Sequence, residues 1–273
     1  MTPYITYAFF AFLLGAVVGS FLNVCICRMP HGESVVSPPS HCPKCDYQIR
    51  WYDNIPILSY LALGGKCRSC GTRISIQYPL VELLNGLLAL ALFVKFFPPA
   101  FMNMAPLQAM GRPAFYFIVL FAFCCALVVI TFIDLEHQII PDTISLPGIV
   151  VGFLVSFFIP HIGWLNSLIG IVAGGGSLLL IAWIYQAVAK KDGMGGGDIK
   201  LLAMMGAFLG WKSILFIIFV SSLLGSVIGV TLMAIRKKDS TLAIPFGPFL
   251  AGAAVLYIFY GRRIISWYLN MGG

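Results

Sequence analysis

Charge is what this sequence has least of. Only 10% of its 273 residues are Asp, Glu, Lys or Arg, against about a quarter in ordinary soluble domains. Acids are scarcer than bases, ten against seventeen. With 60% hydrophobic residues and a mean hydropathy of +0.95, this scarcity excludes a water-soluble globular domain and points to an integral membrane protein. Two motifs are also missing. The opening "MTPYITYAFFAFLLGAVVGSFLNV" has no basic n-region and no clear small-residue cleavage site, so it reads as a retained helix rather than a removed signal peptide. No strand-like run leads into G-x-G-x-x-G, so nothing supports a Rossmann-type cofactor site. No nucleic-acid partner is expected.

What is present is a series of hydrophobic runs. Spans of about 20 residues fall near 4–25, 79–98, 114–133, 143–160, 164–189, 212–235 and 244–265, with a shorter one at 199–210. The short run cannot cross a full hydrocarbon core alone and must be buried among neighbours or meet a thinned region. The expected fold is therefore an all-α polytopic membrane protein with about eight transmembrane segments. It divides into a first helix (1–25), a polar insertion (26–78), a second helix with an external loop (79–112) and a membrane core (113–273). With the N-terminus outside, twelve basic residues face the cytoplasm, among them Arg28, Lys44, Arg68, Lys190, Lys191, Lys200, Lys237 and Lys238. Five, namely Lys95, Arg112, Lys212, Arg262 and Arg263, fall outside. That bias satisfies the positive-inside rule.

The insertion carries two pairs, Cys42-x-x-Cys45 and Cys67-x-x-Cys70, with 21 residues between them. Paired C-x-x-C motifs near this spacing are a zinc-ribbon-like signature, each pair forming one knuckle of a tetrahedral site. Two disulfides are the alternative, but the orientation puts this segment in a reducing compartment. A loop this short also needs a staple in place of a core. Four thiolates leave no open coordination position, so such zinc is structural. Cys25, Cys27, Cys124 and Cys125 read as packing residues.

With so few acids, each one near the membrane can be weighed. Asp134 ends the third span in "ITFIDLEHQIIPD", and Asp198 begins the short span in "GMGGGDIK". They are 64 positions apart, yet the orientation brings both to the cytoplasmic boundary. Two carboxylates sharing one proton can activate water and polarise a peptide carbonyl, as in aspartic proteases. Gly195 and Gly197 would then supply unusual dihedrals and room for an extended peptide to approach. Plainer roles stay open: Asp198 as a cap of the helix behind it, Asp134 as an interfacial residue. Asp142 reads as an N-cap, Glu136 and His137 as solvated. Glu82 is either a helix-start carboxylate meeting the dipole or functional.

These residues resemble a known family. "GMGGGDIKLLAMMGAFLGW" resembles the G-x-G-D signature of type IV prepilin peptidases, and "IDLEHQIIPD" their first aspartate motif. "GSFLNVCICRMP", the paired C-x-x-C insertion, "WYDNIPILSYLALGGKCRSC" and "YPLVELLNG" are similar to the family's amino-terminal half. The resemblance implies a bifunctional enzyme of the bacterial inner membrane. It would cleave basic leaders from type IV prepilins or type II secretion pseudopilins, then methylate the new N-terminus with S-adenosylmethionine. Asp134 and Asp198 would be the catalytic dyad, and Cys42, Cys45, Cys67 and Cys70 would bind zinc. The cofactor contacts are not assigned; "GGKCR", Gly64 to Arg68, is the segment to inspect. A proton- or ion-coupled transporter and a metal-dependent scaffold are the competing classes. Acids at one boundary rather than the midplane, and the lack of an inverted repeat, count against the transporter.

Overall fold

The computed structural model describes residues 2–104, 107–160, 162–190, 195–236 and 245–270. Lys191, Gly193, Lys237 and Lys238, used in the readings above, lie outside the described residues. The described chain forms helices α1 (Thr2–Arg28), α2 (Leu58–Ala62), α3 (Gln77–Phe96), α4 (Pro99–Met104), α5 (Gly111–His137) and α6 (Asp142–Ser156). These are followed by α7 (Gly163–Ala189), α8 (Gly196–Leu209), α9 (Trp211–Arg236), α10 (Gly247–Leu256) and α11 (Arg262–Asn270). No strand occurs among the described residues; two isolated bridges join His41 to Gln48 and Lys66 to Arg73. The all-helical reading therefore holds. Among the described residues five helices, α1, α3, α5, α7 and α9, are long and apolar enough to cross a membrane, and the apolar helices Asp142–Ser156 and Gly247–Gly261 are shorter.

Two compact units divide the chain, Met1–Val129 and Ile130–Gly273, with the boundary inside α5. In the first, α1 lies along α3. Small residues make that contact possible: a Cβ on Gly15 would come within 2.6 Å of Ala89, and one on Gly19 within 2.8 Å of the Glu82 backbone. The Asn85 amide donates to the Gly15 carbonyl at 2.7 Å. Cys125, buried, donates to Asn85 at 3.4 Å, so it does more than fill space. Phe9, Phe10, Val17 and Phe21 of α1 point outward and are exposed. Small residues inside and large apolar ones outside suit helices packed in lipid, where close backbone approach drives association.

The second unit repeats this logic. Gly170 of α7 meets Gly206 of α8 backbone to backbone, and Gly174 meets the Leu202 carbonyl. On the other side of α8, Gly148 and Gly152 of α6 accept Met204 and Phe208. Helix α8 is thus enclosed, with Leu201 to Ala207 buried throughout. That enclosure is how a 14-residue helix meets the requirement set by its length. Leu179, Leu180 and Trp183 of α7 remain exposed.

Candidate active site and metal centre

Four helix ends build the polar centre of the second unit. Asp134 stands in the last turn of α5, Asp198 in the first turn of α8, Asp142 in the first turn of α6, and Gly247 opens α10. Asp134 is 5% exposed, and the Gly247 N–H donates to its Oδ2 at 2.9 Å. That N–H belongs to a helix start, where amides lack intrahelical acceptors, so the carboxylate satisfies a donor that is otherwise orphaned. Gly247 also has to be small: a Cβ there would lie 2.6 Å from the same oxygen. Asp198 is half-buried, and Asp134 is the charged group that acts on it. Both acids thus stand at helix ends of the second unit, one closing α5 and one opening α8.

Several plainer readings are corrected. Asp198 does not cap α8: the cap position is Gly195, with no side-chain bond. Nor does Asp142 cap α6, whose cap position is Pro141. Both oxygens of Asp142 instead accept from the Lys200 ammonium, at 2.7 and 2.8 Å. This pair ties the first turn of α6 to that of α8, two residues beyond Asp198. The solvated reading of Glu136 and His137, at the end of α5, holds: both are exposed.

The glycines before Asp198 were expected to supply unusual dihedrals. Gly195 has an ordinary extended backbone, φ −69° and ψ 137°, and neither Gly196 nor Gly197 has positive φ. What they supply is space. A Cβ on Gly197 would come within 2.8 Å of the Ile140 Cβ, and one on Gly195 would face Asp198 Oδ2 at 3.9 Å. A Cβ on Gly196 would meet nothing within 4 Å. Gly197 is the position where the packing tolerates no side chain.

In the first unit the two cysteine pairs fold alike. The Cys42 N–H bonds the Tyr47 carbonyl and the Asp46 N–H returns to Cys42, at 2.9 Å each. Likewise Cys67 bonds Thr72 at 2.8 Å and Gly71 returns to Cys67 at 3.0 Å. Asp46 and Gly71 take positive φ at equivalent corners, 52° and 68°. These knuckles aim all four sulfurs inward, within 4.8 Å of one another. All are free thiols. Cys42 to Cys70 is 3.9 Å and Cys45 to Cys67 is 4.0 Å, far beyond the roughly 2.05 Å of a disulfide. The edge of a tetrahedron with metal–sulfur bonds of about 2.3 Å is about 3.8 Å, so the donor set fits a metal ion. Hydrogen bonds from the Thr72 hydroxyl and N–H hold the Cys70 thiol down to about 6. Cys45 moves the other way, to about 11: the Tyr47 N–H lowers it, but burial and the three neighbouring thiols together outweigh that. Deprotonated together, four sulfurs this close would need a cation between them.

Glu82 is a residue that sequence reasoning left undecided. It sits six residues into α3, past the first turn, so the dipole reading falls. It is 7% exposed and its Oε2 accepts the Ile57 N–H at 2.7 Å. Ile57 is a β-branched residue at φ 63°, ψ −49°, the centre of a γ-turn closed by Leu58 N–H to the Pro56 carbonyl at 2.6 Å. Such a conformation costs about 1–3 kcal/mol and persists where its surroundings fix it. The signal in the sequence was the pairing of "NIPILSY" with a lone acid in an apolar helix. Cys27, read as packing, is instead exposed and faces the Tyr78 hydroxyl at 3.4 Å.

Comparison with known proteins decides the family. Residues 13–96 match the Bacterial Peptidase A24 N-terminal domain and residues 121–230 the Type IV leader peptidase family. A Prepilin leader peptidase/N-methyltransferase of Pseudomonas aeruginosa is 35% identical, over 96% of this chain and 93% of its own. The protein of the same name from Xanthomonas campestris pv. campestris is 36% identical, over 95% and 93%. The chain belongs to the type IV leader peptidase family. A relative of that name in Myxococcus xanthus is 37% identical over 83% of this chain and 63% of its own. No solved structure matches this family member. In it, the amino-terminal match contains the cysteine cluster, and the peptidase match contains both Asp134 and Asp198.

Proposed function

We propose that this leader peptidase cleaves the basic leader from type IV prepilins or type II secretion pseudopilins and then methylates the freed N-terminus. The observation that carries the cleavage half is that buried Asp134 ends α5 and half-buried Asp198 begins α8, both inside the matched peptidase region. Asp134 and Asp198 share one proton. The ionised member takes a proton from water as the oxygen attacks the scissile carbonyl, and the protonated member hydrogen-bonds the carbonyl oxygen as it becomes a hydroxyl. Collapse of the tetrahedral species passes a proton to the leaving amine. The Gly247 N–H keeps Asp134 Oδ2 occupied and so orients the other oxygen toward the shared proton. The clear space beside Gly197 and Gly195 lets an unwound peptide cross both acids.

Eight membrane segments are part of this reading, the five long helices together with α6, α8 and the segment Gly247–Gly261. The N-terminus lies outside and the dyad at the cytoplasmic boundary of the bacterial inner membrane. There a prepilin's polar leader joins its hydrophobic helix. The division 1–25, 26–78, 79–112 and 113–273 belongs to the same reading. Cys42, Cys45, Cys67 and Cys70 hold zinc, which closes the polar insertion without taking part in chemistry. S-adenosylmethionine, when bound, supplies an electrophilic methyl group for the new amine. Co-expression with a prepilin tests the whole: mass spectrometry is expected to find a pilin lacking its leader and carrying one methyl group. An unshortened pilin refutes the peptidase reading.

A further inference from the structure

Within the first unit a cavity of about 590 Å³ lies among α1, the start of α3 and the cysteine-bearing loop. This is well within the roughly 300–1,000 Å³ of small-molecule sites, and the cleavage chemistry makes no use of it. Three tyrosines line it, Tyr47, Tyr60 and Tyr78, together with two acids whose side chains are buried, Glu82 and Asp53, and with Arg68. Glu82 and Arg68 are both held in place. Glu82 is fixed by the Ile57 N–H at 2.7 Å, and Arg68 by Asp53, which accepts from Nε at 3.0 Å and from the terminal amine at 2.6 Å. Tyr60 is fixed by the loop itself. Gly65, at φ 66°, passes so close that a Cβ would lie 2.9 Å from the Tyr60 hydroxyl. The metal knuckles contribute Cys42 and Cys67 to the same wall.

Flat aromatic faces suit a purine, and electron-rich faces also attract a cation. A fixed carboxylate and a fixed guanidinium suit a ligand carrying both charges. Strained backbone held by a buried acid is a recurring feature of ligand sites. We propose that this cavity is the S-adenosylmethionine site, with Glu82 facing the cationic sulfonium and ammonium end, Arg68 the carboxylate, and the tyrosines the adenine. The assignment rests on the methyltransferase reading and adds the residues that would carry it. It also gives the metal a role for the cofactor: the knuckles keep one wall of the cavity in place.

Binding of S-adenosylmethionine and S-adenosylhomocysteine to the full-length, metal-replete protein in detergent, followed by calorimetry, tests this without reference to turnover. Glu82→Gln and Tyr60→Ala are each expected to weaken binding at least tenfold. Since Glu82→Gln also loosens the Ile57 turn, Ser59→Trp, which fills the cavity from its rim, provides a second route to the same loss. Ultraviolet cross-linking of radiolabelled S-adenosylmethionine is expected to give adducts within residues 20–82. Wild-type affinity in all three variants, or adducts elsewhere, overturns the cavity while leaving the methyltransferase reading intact. A wild-type protein that binds neither compound and methylates no processed pilin peptide overturns both.

Discussion

Adding a single methyl group at Gly197 is expected to slow peptide cleavage by roughly 100-fold. The Cβ of Gly197→Ala would sit 2.8 Å from the Ile140 Cβ, so one of the two must yield by about 1 Å to reach ordinary contact. Gly197 immediately precedes Asp198 at the start of α8, and Ile140 lies in the short connection between Asp134 and Asp142. Whichever side gives way carries a segment of the proposed dyad with it. Overpacking of this kind costs about 1–3 kcal/mol, small enough for the protein to insert and fold. A misplacement of about 1 Å in the reacting groups, however, lowers rate by roughly 100-fold. Gly196→Ala is the internal control, because no atom lies within 4 Å of a Cβ there. The assay is cleavage of a purified prepilin by the detergent-solubilised enzyme, read as initial rate, with methyl transfer to an already processed pilin measured on the same preparation. The expected pattern is a loss near 100-fold for Gly197→Ala, a complete loss for Gly197→Val, little change for Gly196→Ala, and methyl transfer retained in all. Equal rates for the alanine variants at 196 and 197 refute the steric argument. Joint loss of both activities refutes the separation of the two sites.

Other expectations follow from the same geometry. Asp134→Asn and Asp198→Asn each abolish cleavage in a protein that still inserts, whereas Asp142→Asn keeps most of it: the Lys200 pair is partly exposed, 37% and 55%, and such pairs contribute at most about 1 kcal/mol. Gly247→Ala drives a Cβ to 2.6 Å from Asp134 Oδ2 and is expected to lower the cleavage rate at least 100-fold with substrate affinity little changed; an unaltered rate removes Gly247 from the site. Elemental analysis should find one metal ion per chain. Chelation, or Cys42→Ser, should expose residues 40–72 to protease before the rest of the chain; equal resistance with and without metal argues against a structural site. Gly206→Leu, placed against the Gly170 backbone, is expected to displace α8 from α7 and reduce thermal stability and cleavage together.

Composition and order by themselves determined much of this protein. A chain so poor in charge has to be membrane helices, because apolar runs of that length have no other stable solvent. The C-x-x-C pairs determined the knuckles, since local hydrogen bonding around each pair suffices to aim the sulfurs. The scarcity of acids singled out Asp134 and Asp198, because an unneeded carboxylate beside lipid is too costly to keep. Tertiary structure decided the rest, and in each case the reason is a contact between distant residues. Asp142 is read as a cap from its neighbours, but Lys200, 58 positions away, claims its carboxylate. Gly197 reads as a source of unusual dihedrals, yet it has no positive φ, and contact with Ile140 explains the missing side chain. Gly247 has no local mark at all; it matters because α10 brings its N–H to Asp134. Glu82 stays undecided between a helix-start acid and a functional one until Ile57, 25 positions before it, is found to need its oxygen. Local patterns encode which segments are helices and which side chains are reactive; which helix end meets which carboxylate depends on packing, and packing has no sequence period to reveal it.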